Sequence, residues 1–331
     1  MWFQELMGFD EVSPSQVREN IVLEGDCLIS KINGRQYTCG KLLIPSLEEL
    51  RNLTSQTDFK QNRLSLSEMV GNVTDLHVDS KNKGTVFQAA SQFNLLEMVG
   101  PQVTPEKGVG IYEYDKTQGP ACAVACGAGT IYRNYFVKVQ EQIGQTETSQ
   151  IDCLDDLGYY FGNENESLWK MRNGYALATR QGLSIIDQNI KSHTKEEYQL
   201  VKGKLKVGIQ KDTQVTISND ELSVTQVYCS ALPIAYSSID YLTWESFARL
   251  ILEATYEATF HVAIQNYHST GNNILYLTLV GGNAFGNPSH WIFDAIRQSL
   301  DKFADVPLDV RMVSYKRTNP ETTAFIRDYK K

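Results

Sequence analysis

Asn273-Ile-Leu-Tyr-Leu-Thr-Leu-Val-Gly-Gly-Asn-Ala-Phe-Gly-Asn-Pro-Ser-His-Trp-Ile-Phe-Asp-Ala-Ile-Arg297 places an apolar run, a glycine loop and a helix start in direct succession. Ile274 to Val280 is apolar over a strand's length, as expected of a strand covered on both faces. Gly281, Gly282 and Gly286 bracket a short loop that contains Phe285. Asn287 is expected to N-cap the next helix, with Pro288 at its first position. Ile292, Ile296, Leu300 and Phe303 then continue as a buried helical stripe. Glycines let backbone N–H groups approach an anion, and a helix start adds partial positive charge. Such a turn also serves packing alone, so the loop by itself leaves both readings open.

Working outward, residues 1–65 read as an N-terminal extension with short helical character at Gln16–Leu23 and Ser46–Leu53. Between them, Cys27–Leu43 alternates around Asn33-Gly34, a hairpin signal. A lid, a brace or a docking surface are all open for this extension. From Leu66 strands and helices alternate. Gly84–Ala90 is a short buried strand, Gly110–Tyr114 another, and Ala121–Gly129 a small-residue helix. Residues 138–200 are polar and read as an insertion, with a helix over Leu168–Ile190. Leu205–Gln210 and Val224–Ala235 are strands, Thr243 a candidate cap for a helix reaching Gln265, and Leu308–Tyr315 the last strand. Strands separated by helices imply a mainly parallel or mixed sheet covered on both faces.

Composition bounds the function. The 331 residues suffice for a large core. A net charge of −8 argues against a nucleic-acid surface, where affinity comes from Lys and Arg. It leaves open a nucleotide ligand held by backbone amides. No run reaches the ~20 apolar residues of a membrane span, and the N-terminus carries no signal-peptide pattern. The six cysteines (27, 39, 122, 126, 153 and 229) form no C-x-x-C pair. They are read as reduced thiols in a cytoplasmic protein, with the nucleus as alternative. Cys122 and Cys126 lack a nearby histidine and are expected to pack; the five histidines show no metal-ligand spacing. No metal and no cofactor are expected.

Three segments together resemble a macrodomain, the ADP-ribose-binding three-layer α/β/α fold. Gly71-Asn72-Val73-Thr74 stands where macrodomains carry a Gly-Asp-Ile-Thr-like turn. Gln88-Ala89-Ala90-Ser91 matches the strand end Asn-Ala-Ala-Asn, and Gly282-Asn283-Ala284-Phe285-Gly286 matches a Gly-x-Phe-Gly phosphate loop. The resemblance covers roughly residues 66–136 and 222–316. It implies a macrodomain-like catalytic domain over 66–331, with a mixed central sheet and an insertion at about 138–200. Gln92-Phe-Asn-Leu-Leu-Glu97, Tyr114-Asp-Lys-Thr-Gln-Gly-Pro-Ala-Cys-Ala and Thr130-Ile-Tyr-Arg-Asn-Tyr-Phe136 depart from the common pattern. They are similar to the divergent, arginine-specific macrodomains typified by MavL, which resemble poly(ADP-ribose) glycohydrolases in part and remove ADP-ribose from arginine.

That resemblance implies cleavage of an N-glycosidic bond through an oxocarbenium-like transition state, work for which paired carboxylates are suited. Asp115 is the first candidate and Glu97 the second; an exposed loop carboxylate or helix cap is the alternative for each. Asn72 and Val73 fall at the adenine end, with Asn72 in place of the usual acid. Gln88 and Ser91 replace both asparagines near the distal ribose. Asn94 and Gln118 would orient ribose hydroxyls or else satisfy loop backbone. Gly281, Gly282, Asn283, Ala284, Gly286 and Asn287 would serve the diphosphate. Phe285 would pack on the distal ribose rather than plug the core. Tyr315 would stack on adenine or lie free on the surface, and Arg133 would pair structurally or reach phosphate. The implied function is removal of mono-ADP-ribose from protein arginine, with ADP-ribose and the modified protein as partners. A non-catalytic ADP-ribose reader, or a hydrolase of poly(ADP-ribose) or another conjugate, is the alternative.

Overall fold

Seven strands form one mixed sheet in the order Lys41–Leu43, Gly208–Gln214, Ser223–Cys229, Val86–Ala90, Ile274–Leu277, Asp309–Ser314, Ser65–Val70. This computed structural model describes residues 1–55 and 63–331. Every pairing from Ser223–Cys229 to Ser65–Val70 is parallel. Gly208–Gln214 runs antiparallel to both of its neighbours. The central strands are apolar because helices cover both faces.

Side-chain alternation fixes which helices lie where. In Val86–Ala90, Gln88 points at helix Glu245–Thr270, donating to Thr259 at 2.9 Å. Phe87 points the other way and stacks on His77 of helix Val73–Val78 at 3.9 Å. Burial holds that imidazole down at about 4, so His77 is a neutral core residue. Gln226 donates to the carbonyl of Cys122, placing helix Gln118–Ala125 on the His77 side as well. Ser289–Lys302 packs along Glu245–Thr270. The expected three-layer α/β/α sandwich with a mixed central sheet is therefore present.

Helix Glu245–Thr270 is buried over most of its surface, because Leu47–Thr54, Arg180–Ser192 and Lys195–Lys202 cover its outer side. Two of those three come wholly or mostly from the polar stretch 138–200, so that stretch helps close the core. Glu257 at the centre of this contact is almost wholly buried. It pairs with Arg51 at 2.6 Å, with Lys202 at 2.9 Å and with Lys302. Burial pushes its carboxyl up, but bonds from His261 and Arg51 and the lysine charges outweigh it and hold the group far below the ordinary range.

The N-terminal stretch 1–65, of which 56–62 lie outside the described residues, is joined to the rest at further places besides Leu47–Thr54. Lys41–Leu43 is a sheet strand, and Phe3, Leu6 and Val17 share a second core with Val109, Tyr112 and Ile131. The Asn33-Gly34 turn is present, with Gly34 at φ 71° between paired strands Cys27–Ser30 and Gln36–Thr38.

Several local expectations are corrected. Leu168–Ile190 is not one helix: Trp169–Arg172 and Tyr175–Ala178 form a hairpin before helix Arg180–Ser192. Asn173 and Gly174, at φ 47° and 77°, make the tight turn that Asn-Gly favours. Gly110–Tyr114 is a 3₁₀ helix, not a strand. Pro288, not Asn287, occupies the N-cap position of Ser289–Lys302. Thr243 lies in the 3₁₀ turn Tyr241–Trp244, and the long helix starts at Glu245.

Candidate active site

A cleft of about 800 Å³ opens where Ala90, Leu277 and Ser314 end their parallel strands. This is the place open α/β sheets reserve for ligands. Its walls come from Ala90–Gln92, Glu97–Val99, Asp115–Pro120, the Thr278–Phe285 loop and the Val313–Pro320 turn, with Tyr175 and Tyr236 at one side.

The glycine loop is built by backbone geometry. Gly281 at φ 79° stands so close to Ala231 that a Cβ would sit 2.4 Å from that methyl carbon. Asn283 at φ 44° begins the 3₁₀ turn Asn283–Phe285. The loop's internal bonds use the N–H groups of Gly282, Phe285, Gly286 and Asn287. Gly281, Asn283 and Ala284 are left with no protein acceptor among the described residues. Free backbone donors gathered in a loop beside a helix start are an arrangement suited to an anion. Gly286 and Asn287 do not take part: neither lines the cleft. The Asn287 amide instead donates to the carbonyls of Leu232 and Gly281 at 2.9 and 3.0 Å, bracing the loop from beneath.

Glu97 is 4% exposed, lines the cleft, and has one carboxyl oxygen, Oε1, without a hydrogen-bond partner. Burial drives its pKa well above the ordinary carboxylate range; the Arg133 charge pulls it down and Asp115 pushes it further up. Its backbone N–H donates to the buried hydroxyl of Tyr112 at 2.9 Å. Its other oxygen lies 2.8 Å from where a Cβ on Gly119 would stand, and the Ala90 carbonyl lies 2.2 Å from the same point. Only glycine lets helix Gln118–Ala125 start this close to the strand end and the carboxyl. Asp115 stands on the same cleft, partly exposed, its Oδ1 accepting the Thr117 N–H at 2.8 Å. A buried carboxyl pushed up by that burial and a partly exposed one thus face one cavity, together with Phe285.

Other expected contacts are redirected. Gln88 is spent inside the fold, donating to Thr259 and accepting the Thr278 N–H at 3.2 Å. Asn94 donates to Gln150 and accepts the Leu96 N–H, so it satisfies its own loop. Asn72 caps helix Val73–Val78 through Thr74, and the Val73 N–H donates to Gln118 at 3.1 Å. Neither Asn72 nor Val73 lines this cleft, and nor do Gln88 and Asn94. Ser91, Gln118, Gly281, Gly282, Asn283, Ala284, Phe285 and Tyr315 do. Arg133 is fully buried over the Tyr228 ring at 3.6 Å and donates to the Leu95 carbonyl at 3.1 Å. It pins Leu95, at φ 64°, and so shapes the loop that carries Glu97. Cys122 and Cys126 are buried thiols pushed up by that burial.

Tyr175, Tyr236, Thr278, Ser314 and Arg317 line the cleft without having been singled out in the sequence. Tyr175 arrives from the insertion and packs on Phe285 at 5.4 Å, with Tyr236 at 5.8 Å from the same ring. Its signal was the Asn173-Gly174 turn, which fixes the hairpin that delivers it. Among the described residues, no group of three or more His, Cys, Asp or Glu is placed to hold a metal ion. No helix there is long and apolar enough to cross a membrane.

No protein-family model and no curated protein matches the sequence. Among solved structures, the chain is similar to poly(ADP-ribose) glycohydrolase from Thermomonospora curvata, at 11% identity over 96% of this chain and 97% of that one, with a TM-score of 0.48. It is also similar to that glycohydrolase bound to the inhibitor ADP-HPD, at 11% identity over 95% and 97%, with a TM-score of 0.45. The poly(ADP-ribose) glycohydrolase from Deinococcus radiodurans in complex with ADP-ribose matches at 9% identity over 87% and 94%, with a TM-score of 0.46.

Proposed function

We propose that this protein hydrolyses ADP-ribose conjugates, and within that class that it cleaves the bond between ADP-ribose and a protein arginine. The observation that carries the reading is Glu97: a buried carboxyl with an unpartnered oxygen, on the same cleft as Asp115 and a loop of free backbone donors. A buried polar atom left unpaired is costly, and this one lies on a cavity wall where a ligand can supply the partner.

The chemistry follows from that geometry. The diphosphate sits on the Gly281–Ala284 donors, which directs the distal ribose toward Phe285 and the carboxyls. The C1″–N bond breaks as water adds its oxygen to C1″, and one water proton ends on the departing guanidine. Glu97, its carboxyl pushed up by burial, suits donation to a ribose hydroxyl or to the leaving nitrogen. Asp115, in contact with solvent, suits stabilising the cationic ring or accepting the water proton. The choice of arginine rests on the resemblance carried by the blocks 92–97, 114–123 and 130–136. A cytoplasmic setting, with the nucleus as alternative, belongs to the same proposal.

The test is a turnover panel of mono-ADP-ribosylated arginine, serine and glutamate proteins and poly(ADP-ribose), without added divalent metal. Free ADP-ribose is expected from the arginine conjugate. Tight ADP-ribose binding with no turnover on any member would replace the hydrolase with a reader.

A further inference from the structure

Glu11 belongs to the N-terminal segment and lies outside the cleft, yet it grips the cleft's framework. Its carboxylate accepts the N–H of Val109 at 2.9 Å and of Gly110 at 2.6 Å, and the hydroxyl of Tyr135 at 2.7 Å. Val109 and Gly110 present the free donors at the start of the 3₁₀ helix Gly110–Tyr114. The chain is shaped around this carboxylate. A Cβ on Gly108 would fall 2.5 Å from it and one on Gly110 2.8 Å.

That five-residue helix connects to both carboxyls of the cleft. Its Tyr112 hydroxyl accepts the Glu97 N–H at 2.9 Å, and its Tyr112 carbonyl accepts the Asp115 N–H at 3.2 Å. The segment's other anchor on the same helix is the Trp2 N–H, which donates to Glu113 at 3.1 Å. Burial pushes the Glu11 carboxyl up and the bonds from Tyr135, Val109 and Gly110 pull it back down, so these donors are what hold it in place.

We infer that Glu11 is a positioning residue: it clamps the Gly110–Tyr114 helix and thereby sets the placement of Glu97 and Asp115 relative to each other. The N-terminal segment is then a brace for the reacting groups rather than a lid. This rests on the reading of Glu97 and Asp115 as the reacting pair. A displacement of about an ångström at reacting groups costs on the order of 100-fold in rate, while binding energy from the distant diphosphate is untouched.

The experiment compares Glu11→Gln with the native full-length chain. The amide keeps one acceptor oxygen and turns an NH₂ toward a backbone N–H, so one clamp bond becomes a repulsion. Expected are a kcat on the arginine conjugate lowered by about tenfold or more and an ADP-ribose Kd within about twofold. Hydrogen exchange at the amides of Glu97 and Gly110 should also quicken, with Asn287 unchanged. Lys31→Ala, elsewhere on the same segment, is expected to leave kcat unaltered. If Glu11→Gln melts below the assay temperature, Tyr135→Phe removes one donor and adds no group. It is expected to lower kcat by about threefold with the same split. Native kcat together with native exchange at Glu97 in the folded variant overturns the inference. If the native chain turns over no conjugate, the hydrolase reading has failed. The exchange measurement then decides the clamp alone, and unaltered protection overturns it.

Discussion

The backbone N–H of Glu97 donates to the buried hydroxyl of Tyr112 at 2.9 Å, which ties the loop after strand Val86–Ala90 to the 3₁₀ helix that ends at Asp115. Two carboxyls 18 residues apart in sequence are thereby held on one wall, and their environments differ. Glu97 is buried and pushed toward protonation; Asp115 meets solvent and turns part of its carboxylate to the Thr117 N–H.

Asp115→Ala is expected to slow release of ADP-ribose from arginine-modified protein by about 100-fold or more. ADP-ribose affinity by calorimetry should change little, because the free N–H groups of the Gly281–Ala284 loop are left as they are. Full turnover in this variant sinks the assignment of Asp115. Glu97→Gln keeps the shape of the side chain but has no acidic proton to give, and a loss of similar size is expected.

The pH dependence of stability follows from the sign of the Glu97 shift. A raised folded-state value gives a contribution that is complete below the unfolded carboxyl value of about 4.3. It is lost as pH rises through the folded value. The melting temperature of the native chain should carry a downward component across that window, and Glu97→Gln should flatten it. An identical slope in the two proteins would show that Glu97 ionises as freely as it does in the unfolded chain.

Gly281→Ala tests the glycine loop. The left-handed backbone at φ 79° costs a non-glycine residue about 1–2 kcal/mol, and the added carbon would meet Ala231 at 2.4 Å. The loop must shift, and its free donors shift with it. ADP-ribose affinity is expected to fall by about tenfold, equivalent to about 1.4 kcal/mol; an unchanged calorimetric Kd would remove the loop from the binding site.

Glu257→Ala addresses the scaffold behind the cleft. The substitution strands Lys202 and Arg51 against a buried face where their shared partner stood. Removing one member of such a cluster costs about 3–5 kcal/mol. Urea unfolding should show this loss in the midpoint. A midpoint within experimental scatter of the native one would mean that the cluster is solvated in solution.

The sequence by itself determined the layered architecture, because periodicity and apolar runs are local properties. Val86–Ala90, Asp309–Ser314 and the glycine loop fall where their patterns put them. Where competing local signals coexist, distant contacts or the stronger turn signal decide. Asn173-Gly174 outweighed the helical look of 168–190, and Gly110–Tyr114 coils because Glu11, far back in the chain, caps it.

Which polar groups are spent and which remain free is settled by long-range packing. Gln88, Asn94 and Asn287 looked as available as Glu97, but each finds partners inside the fold. Those partners are Thr259 and Thr278 for the first, Gln150 and Leu96 for the second, and Leu232 and Gly281 for the third. Asn287 also keeps an unpaired oxygen, Oδ1, but off the cleft; of these four, Glu97 is the one that brings an unpaired oxygen to the cleft, with Arg133 nearby. Most of those partners are distant in sequence, from Asn287 and Leu232, 55 positions apart, to Gln88 and Thr278, 190 apart. Hydrogen-bond satisfaction is settled by groups that meet only on folding, and no local pattern encodes it.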